Sequence, residues 1–587
     1  MKGFFGKILN IDVEKKKFFS EEIPSSVYEN YLGGKGLCSW LLLKRNKPKV
    51  DPFSKENHFI IGTGCITDTT VLGSSRYGIY TKSPLTGIYS ESYSGGKPAS
   101  AISKTGYDAI IIKGKSDTPI YLEISDKGVE FKDATHLWGK GTFETEERII
   151  KETDKKGAKA IVIGPAGENL VKYALIENDK WRSAGRTGVG AVLGSKKIKG
   201  IVFHGEAKRE IADPSMLKEF VANSREKAKT DGAAKAYKRL GTPMMVSLLI
   251  NFTSFPTKYW QQGTYEKWEE ISGETLLERF SPTPKACPNC LFACGRYIQI
   301  KEGRHKGLVI EGPEYETIYA FGGLCLIDKL DEIAYLNHLC DDLGIDTITA
   351  GNIAGFAIEA AKRGKLSLEI DYGEVDKIAD LIKKIVYRED VGDLLAEGVR
   401  EVSKRLNLED IAIHVKGLEP PGYDPRALKG MGLAYATSDR GACHLRTTFY
   451  KPEMAGISPP DKLDDKAKIF VDYEDKLNIF DTFILCRFFR DFYDFNDFST
   501  ILKATTGMKF TEDDLRKISA NIQNTTRSFN LREGITKKDD TLPKRFFEEP
   551  QKDSGKVFKR EDFEKLLDEY YELRNWSKEG IPKDPLP

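Results

Sequence analysis

The chain has 587 residues, roughly four domain equivalents at about 150 residues each, which excludes a small scaffold held together by disulfides or a single metal. Its 90 basic and 88 acidic residues leave a formal charge of +2, so no general field attracts nucleic acid or an anionic membrane. With 40% hydrophobic and 30% charged residues it reads as a folded globular protein, and no uncharged apolar run approaches the roughly 18 residues of a membrane span.

Up to about residue 210 the chain is strand-rich. β-Branched or alternating runs at Tyr77 to Tyr80, Ala109 to Lys113, Ile120 to Ile124, Ala160 to Ile163 and Gly200 to His204 are bounded by Gly, Pro, Asp and Ser. Helices are expected at Ser26 to Arg45 and Phe143 to Thr153. Asp213-Pro214 then starts a helix, with an acceptor at the N-cap and proline at the first helical position. Helical periodicity dominates from there, at Leu330 to Leu343, Thr349 to Arg363, Glu374 to Tyr387, Leu394 to Leu406, Asp465 to Phe492 and Glu561 to Asn575. The two prolines of Gly-Leu-Glu-Pro-Pro-Gly at 417–422 stop any helix and mark a second boundary. The expectation is an α+β protein: a β-rich domain over 1–210 and mainly helical domains over 211–417 and 418–587.

The nine cysteines are an odd number and unevenly spread, and the Met1-Lys2-Gly3-Phe4-Phe5 start has no signal-peptide core. A cytoplasmic location with metal or catalytic use of the thiols is therefore expected. Cys287-Pro-Asn-Cys290-Leu-Phe-Ala-Cys294 is a C-x2-C-x3-C run preceded by Pro282 and Pro284, a loop able to wrap a metal centre before a helix begins. Three thiolates this close suit an iron–sulfur cluster that takes its fourth ligand from afar. Zinc is the competing reading, although four-cysteine zinc sites usually pair two short hooks. Cys486 is the best fourth ligand. Asp341-x-x-Gly344-Ile-Asp346-Thr347 supplies aspartates that can accept hydrogen bonds from the N–H groups of a heterocycle, and Gly344 permits the left-handed turn that exposes them.

The cysteine run, Asp341-x-x-Gly344-Ile-Asp346 and Asp481-x-x-x-Leu485-Cys486 together resemble the aldehyde ferredoxin oxidoreductase family of tungsten enzymes. Further matches spread over nearly the whole chain: Ser75-Arg76-Tyr77, Ser94-Gly95-Gly96, Arg182-x-x-Gly185-Arg-x-Gly188-x-Gly190, Glu311-Gly-Pro-Glu-Tyr-Glu316, Tyr423-Asp-Pro-Arg426 and Arg440-Gly-Ala-Cys-His444. The resemblance implies tungsten held by the dithiolenes of two pterins, with no protein ligand to the metal; the same cage also admits molybdenum. It implies one [4Fe–4S] cluster on Cys287, Cys290, Cys294 and Cys486. The pterins would be held by Asp341, Asp346 and Thr347 on one side and by Asp481 and Leu485 on the other. Arg76 and Arg182 resemble the family's phosphate contacts, for which a planar guanidinium is suited. Gly95, Gly185 and their neighbours let backbone approach the phosphates, and Mg2+ bridging them would use carbonyls near Tyr93 and Ser183.

His444 matches the family's active-site histidine and Glu316 its carboxylate. The implied reaction is oxidation of an aldehyde with water to a carboxylic acid. Glu316 would act as base and His444 as proton donor, and electrons would leave through the cluster to a ferredoxin or a dedicated iron–sulfur subunit. The alternatives are another reaction on the same cofactor, of the aryl-CoA reductase or sugar-aldehyde oxidase kind, and an iron–sulfur scaffold without tungstopterin. Three departures from the family pattern stand out: Tyr93 where relatives often have asparagine, Ile484 in place of a glycine, and Tyr335 in place of the glutamate of an E-x-x-H iron site with His338. A phenol, with a pKa of about 10, is a poor ligand for ferrous iron, so a homodimer is expected to lack a bridging iron.

Overall fold

The apolar runs of the first part of the chain pair into two six-stranded sheets in the computed structural model, which describes residues 1–587. The first sheet has the spatial order Lys17–Glu22, Lys7–Asp12, Ala109–Lys113, Phe59–Gly62, Arg76–Lys82 and Tyr89–Gly95. In the second the order is Arg182–Ala184, Ile176–Asn178, Lys159–Val162, Ile198–Phe203, Ile120–Ser125 and Gly128–Asp133. Ala109–Lys113 is apolar almost throughout because both of its faces are covered. Ile110 and Ile112 meet Leu122, Ile161 and Ile201 of the second sheet, while Ile111 joins Leu41, Phe480, Phe498 and Leu515 from helices on the other side.

The β-rich start and helical remainder make the fold mixed α+β, as the sequence implies. Several boundaries differ from expectation. The helix expected at Ser26 to Arg45 is two, Ser25–Tyr31 and Gly34–Arg45, because Leu32 takes φ 56° and ψ −149° between them. The one expected at Leu394 to Leu406 breaks at Gly398, φ 86°, into Val391–Leu395 and Val399–Leu406. The long helix expected to Phe492 stops at Phe483, where Ile484 enters the left-handed region at φ 55°. No helix follows the cysteine run. Lys285 pairs with Gly295 across the strands Thr283–Lys285 and Gly295–Gln299, so residues 286–294 form a hairpin loop.

Two helix ends fix how the helical part meets the sheets. Leu330–Leu343 closes with Gly344 at φ 77° and ψ 44°, and Lys466–Phe483 closes with Ile484 at φ 55° and ψ 47°. The same left-handed cap thus ends both aspartate motifs, although the second has no glycine. A left-handed cap on a non-glycine residue costs about 1–2 kcal/mol, so burial of Ile484 must offset it. Both ends press on the β-rich part through glycine. A Cβ on Gly164 would stand 2.4 Å from the Leu343 carbonyl oxygen, and one on Gly64 would stand 2.1 Å from that of Phe483. The first seam is sealed by Leu175 N–H donating to Gly344 at 2.9 Å, the second by Cys486 N–H donating to Gly73 at 3.0 Å.

These contacts predict that Gly64→Ala and Gly164→Ala each destabilise the protein by about 1–3 kcal/mol through overpacking, read as a lower thermal midpoint. Gly232→Ala, where a Cβ meets nothing within 4 Å, should be neutral or stabilising. Equal midpoints for all three variants would contradict the close approach.

Candidate active site

The hairpin loop brings Cys287, Cys290 and Cys294 together at the end of the small third sheet, and the left-handed turn at Ile484 swings Cys486 toward them. All four are unpaired and half-buried. They ring one cavity of about 230 Å3, joined in its wall by Arg76, Gly95, Arg182 and Ser183. Four soft sulfur donors around one space are a donor set that suits an iron–sulfur cluster. Burial pushes the Cys290 thiol up to about 12 and Cys294 well above its usual value, so these thiols ionise only when a bound cation compensates. Gly95 leaves the room: a Cβ there would sit 3.1 Å from the Cys287 sulfur.

A second cavity of about 340 Å3 adjoins the first, with Tyr93, Trp181, Ser183, Glu311 and Glu314 lining both. It contains Glu316, His444, Asp341, Asp346, Thr347 and Gly185. Glu316 lies on the short helix Tyr315–Thr317, which runs into a π-helical turn at Ile318–Gly323, a distortion frequent at functional sites. His444 comes from the loop after Lys429–Thr437 and stacks on Tyr423 at 5.4 Å. Glu316 Oε1 and His444 Nε2 are 3.5 Å apart. Burial pushes the Glu316 carboxyl up to about 8, opposed by the Gly422 N–H that donates to Oε2 at 3.1 Å and by Arg186. Burial, then Arg186, Arg440, Arg446 and Arg490, hold His444 well below its usual value. Both shifts favour the uncharged forms, a protonated Glu316 and a neutral His444 imidazole.

The aspartates differ in freedom. Asp341 shares one oxygen with Asn337 at 2.9 Å, and burial with Asp342 nearby raises it. Asp346 does not end a helix as its neighbour does. It caps Thr347–Lys362, accepting from Ile348 N–H and the Thr349 hydroxyl, and it takes Arg186 Nε at 3.1 Å. Asp481 and Leu485 are buried beside the two cavities without lining either. Asp481 Oδ2 is claimed by Arg446 at 2.8 Å and Arg487 at 2.5 Å, and the Leu485 N–H is spent on Phe480. Arg76 donates to the Tyr93 carbonyl at 3.3 Å, while Arg182 is paired with Glu311. Thr347 meets the Thr317 hydroxyl at 3.0 Å, and Gly344 shapes the turn without lining the cavity. Tyr335 stacks on His305 at 4.4 Å, and His338 packs on Phe143.

Sequence reasoning missed the charge network behind this wall. Lys35 bridges Glu91 at 3.0 Å and Asp439 at 2.8 Å, and Arg446 links Glu91 to Asp481. Lys35 and Asp439 alone are 404 residues apart, so no local spacing announces the network. Arg186 sits inside a quoted motif, yet nothing there says that it reaches both Asp346 and the Glu419 carbonyl. Buried nitrogens of Trp181, Arg186, Arg440, Arg446 and His444 have no partner. Leaving such groups unpaired costs about 1–3 kcal/mol each, more for charged ones. With Glu311, Glu314, Glu316, Asp341 and Asp346 in the same lining, these groups fit an occupant that both donates and accepts hydrogen bonds, such as a phosphorylated heterocycle.

Comparison with known proteins places the chain among its relatives. The family model described as aldehyde ferredoxin oxidoreductase, N-terminal domain, matches residues 8–205, and that described as domains 2 and 3 matches residues 219–585. The tungsten-containing aldehyde ferredoxin oxidoreductase of Pyrococcus furiosus is 37% identical over 100% of this chain and 98% of its own length. The Thermococcus kodakarensis protein of the same description is also 37% identical, over the same shares. The WOR-like subunit of the aliphatic sulfonate oxidoreductase of Pyrococcus furiosus is 29% identical over 100% of this chain and 96% of its own. Among solved structures the active-site complex of benzoyl coenzyme A reductase superposes with a TM-score of 0.83 at 24% identity, covering 99% and 96% of the two chains, which shows a common fold. Full-length identity and a paired family match lead to one conclusion: the chain belongs to the aldehyde ferredoxin oxidoreductase family and is an oxidoreductase.

Proposed function

We propose that the protein oxidises an aldehyde with water to a carboxylic acid and passes the two electrons singly to a ferredoxin. The observation that carries this reading is the Glu316–His444 pair, 3.5 Å apart in a buried cavity that shares a wall with the cysteine-ringed one. When bound, a tungsten or molybdenum bis-pterin centre would supply the two-electron acceptor, a [4Fe–4S] cluster the one-electron outlet, and Mg2+ would offset phosphate charge. Cys287, Cys290, Cys294 and Cys486 would hold the cluster. Asp341, Thr347, Ser183, Gly185 and Arg186 would face one pterin, with Arg76 and Arg182 toward the phosphates and the Tyr93 and Ser183 carbonyls toward Mg2+. Asp481 would act from behind Arg446, whose buried Nε has no partner.

The chain's own groups then do ordinary acid–base work. The ionised Glu316 carboxylate accepts a proton from water attacking the carbonyl carbon, the general-base role for which a raised pKa is suited. Neutral His444 donates a hydrogen bond toward the carbonyl oxygen, where negative charge develops. It need not be an imidazolium, because a neutral imidazole N–H also stabilises such an oxygen. The buried wall around Tyr423 and Tyr315 keeps bulk water from competing for these bonds.

Glu316→Gln should lower aldehyde-dependent viologen reduction by about 10²–10⁴-fold while leaving metal content intact; unchanged turnover would remove Glu316 from the base role. The pH profile follows from the protonation states. Because Glu316 works only when deprotonated, kcat/KM should fall about tenfold per pH unit below about 8 and level off above it. No falling limb from His444 is expected between pH 6 and 9, since its imidazole is already neutral there. A rate that declines across that range would show that a protonated group is required.

A further inference from the structure

The hairpin loop that carries three of the four cysteines lies at the surface inside a rim of unpaired lysines. Ala286, Pro288, Asn289 and Leu291 are exposed, and Leu291, at 42%, is one of nine large apolar side chains that the chain leaves open. Two concavities, of about 380 and 240 Å3, meet at Pro288 and Lys97. Lys97, Lys104 and Lys159 wall the first, and Lys97 and Lys285 the second. None of these four lysines forms an ion pair, unlike the nearby Lys180, which holds Glu147. Of the carboxylates in the same walls Glu311 pairs with Arg182, while Asp68 and Asp179 accept only neutral donors, so four lysines face two uncompensated carboxylates. In a chain of overall charge +2 this concentration of free positive charge is local.

We infer that Lys97, Lys104, Lys159 and Lys285, centred on Pro288 and Leu291, form the docking surface for an acidic, soluble one-electron carrier protein of the ferredoxin class. The inference rests on the proposed aldehyde oxidation and adds the place where electrons leave. Aldehyde plus water gives carboxylic acid, two protons and two electrons. Each docking event removes one electron, so two oxidised carriers are reduced per aldehyde and the protons pass to water. Charge complementarity identifies the partner: an acidic surface gains from four unpaired lysines, which steer its approach, while a small apolar centre suits a contact that must form and break every turnover. The second concavity shares Trp181, Arg182, Glu311, Pro288 and Cys287 with the cysteine-ringed cavity, so a carrier on the rim adjoins that cavity at Cys287. Glu316 and His444 line the next cavity inward, which lets aldehyde and carrier bind without competing.

The test compares the holoenzyme with a variant carrying Lys97→Glu, Lys104→Glu, Lys159→Glu and Lys285→Glu, using a purified acidic [4Fe–4S] ferredoxin and a small uncharged quinone as acceptors. Titration of oxidised ferredoxin without aldehyde should show Kd weakened at least about tenfold, with the salt dependence of binding lost. Ferredoxin kcat/KM should fall in parallel while quinone turnover stays the same. Should the four-site variant lose iron, Lys104→Ala with Lys285→Ala gives the same readouts with a smaller loss. A variant that binds ferredoxin like the unaltered protein overturns the docking surface. Binding through the rim by a protein that oxidises no aldehyde supports the surface and instead overturns the proposed reaction.

Discussion

Two helix C-termini held against glycines of the β-rich part are the constraint on which the rest of the site depends. Leu343 and Phe483 bring their carbonyl oxygens so close to Gly164 and Gly64 that no side chain fits between. Each helix is stopped there by a left-handed residue; the first stop follows Asp341, which lines the cavity, and the second follows Asp481, which holds Arg446 and Arg487. The second stop also turns the chain toward Cys486, so one backbone event sets both a pterin-type motif and the fourth cysteine. Close packing leaves little freedom in such a seam, because interiors are dense and transmit displacement. Core side chains make the same tie: Ile111 and Leu41 of the β-rich part pack with Phe480, Phe498 and Leu515.

Electrostatics then gives the enclosed space its character. Arg186 and Arg440 line the cavity, and Arg446 and Arg487 stand nearby, with Asp346, Glu91 and Asp481 answering part of their charge. Buried ions persist only when paired or solvated by fixed dipoles, so a wall with unpartnered guanidinium nitrogens is built for an anionic occupant. The same arginines explain why His444 stays neutral, and burial explains why Glu316 keeps its proton to about pH 8. A redox enzyme gains from this order, because the base becomes available without a second charged group beside it.

Much of this was legible in the sequence, and the rest was hidden for physical reasons. The strand Ala109–Lys113 and the helix Leu330–Leu343 matched their expected bounds, since periodicity and flanking turns fix such elements locally. The cysteine run was readable from spacing alone. Its hairpin setting was not, because strands of three to five residues carry little pattern of their own. The end of Lys466–Phe483 was invisible because isoleucine rarely takes a left-handed conformation, and only tertiary contact forces it here. Glu316 and His444 were found through motif resemblance, yet their resting protonation depends on arginines at positions 186, 440, 446 and 490 that no local motif links to them. Arg446 and Arg487 both donate to Asp481, a pairing that only the folded chain reveals.

The account rests most heavily on two adjoining cavities holding an iron–sulfur cluster and a bis-pterin metal centre. Metal analysis of anaerobically purified protein, joined to electron paramagnetic resonance after reduction, tests this most directly. The account predicts about four irons and one tungsten or molybdenum per chain, with the signal of a reduced [4Fe–4S] cluster. One zinc per chain with no iron and no pterin would contradict it.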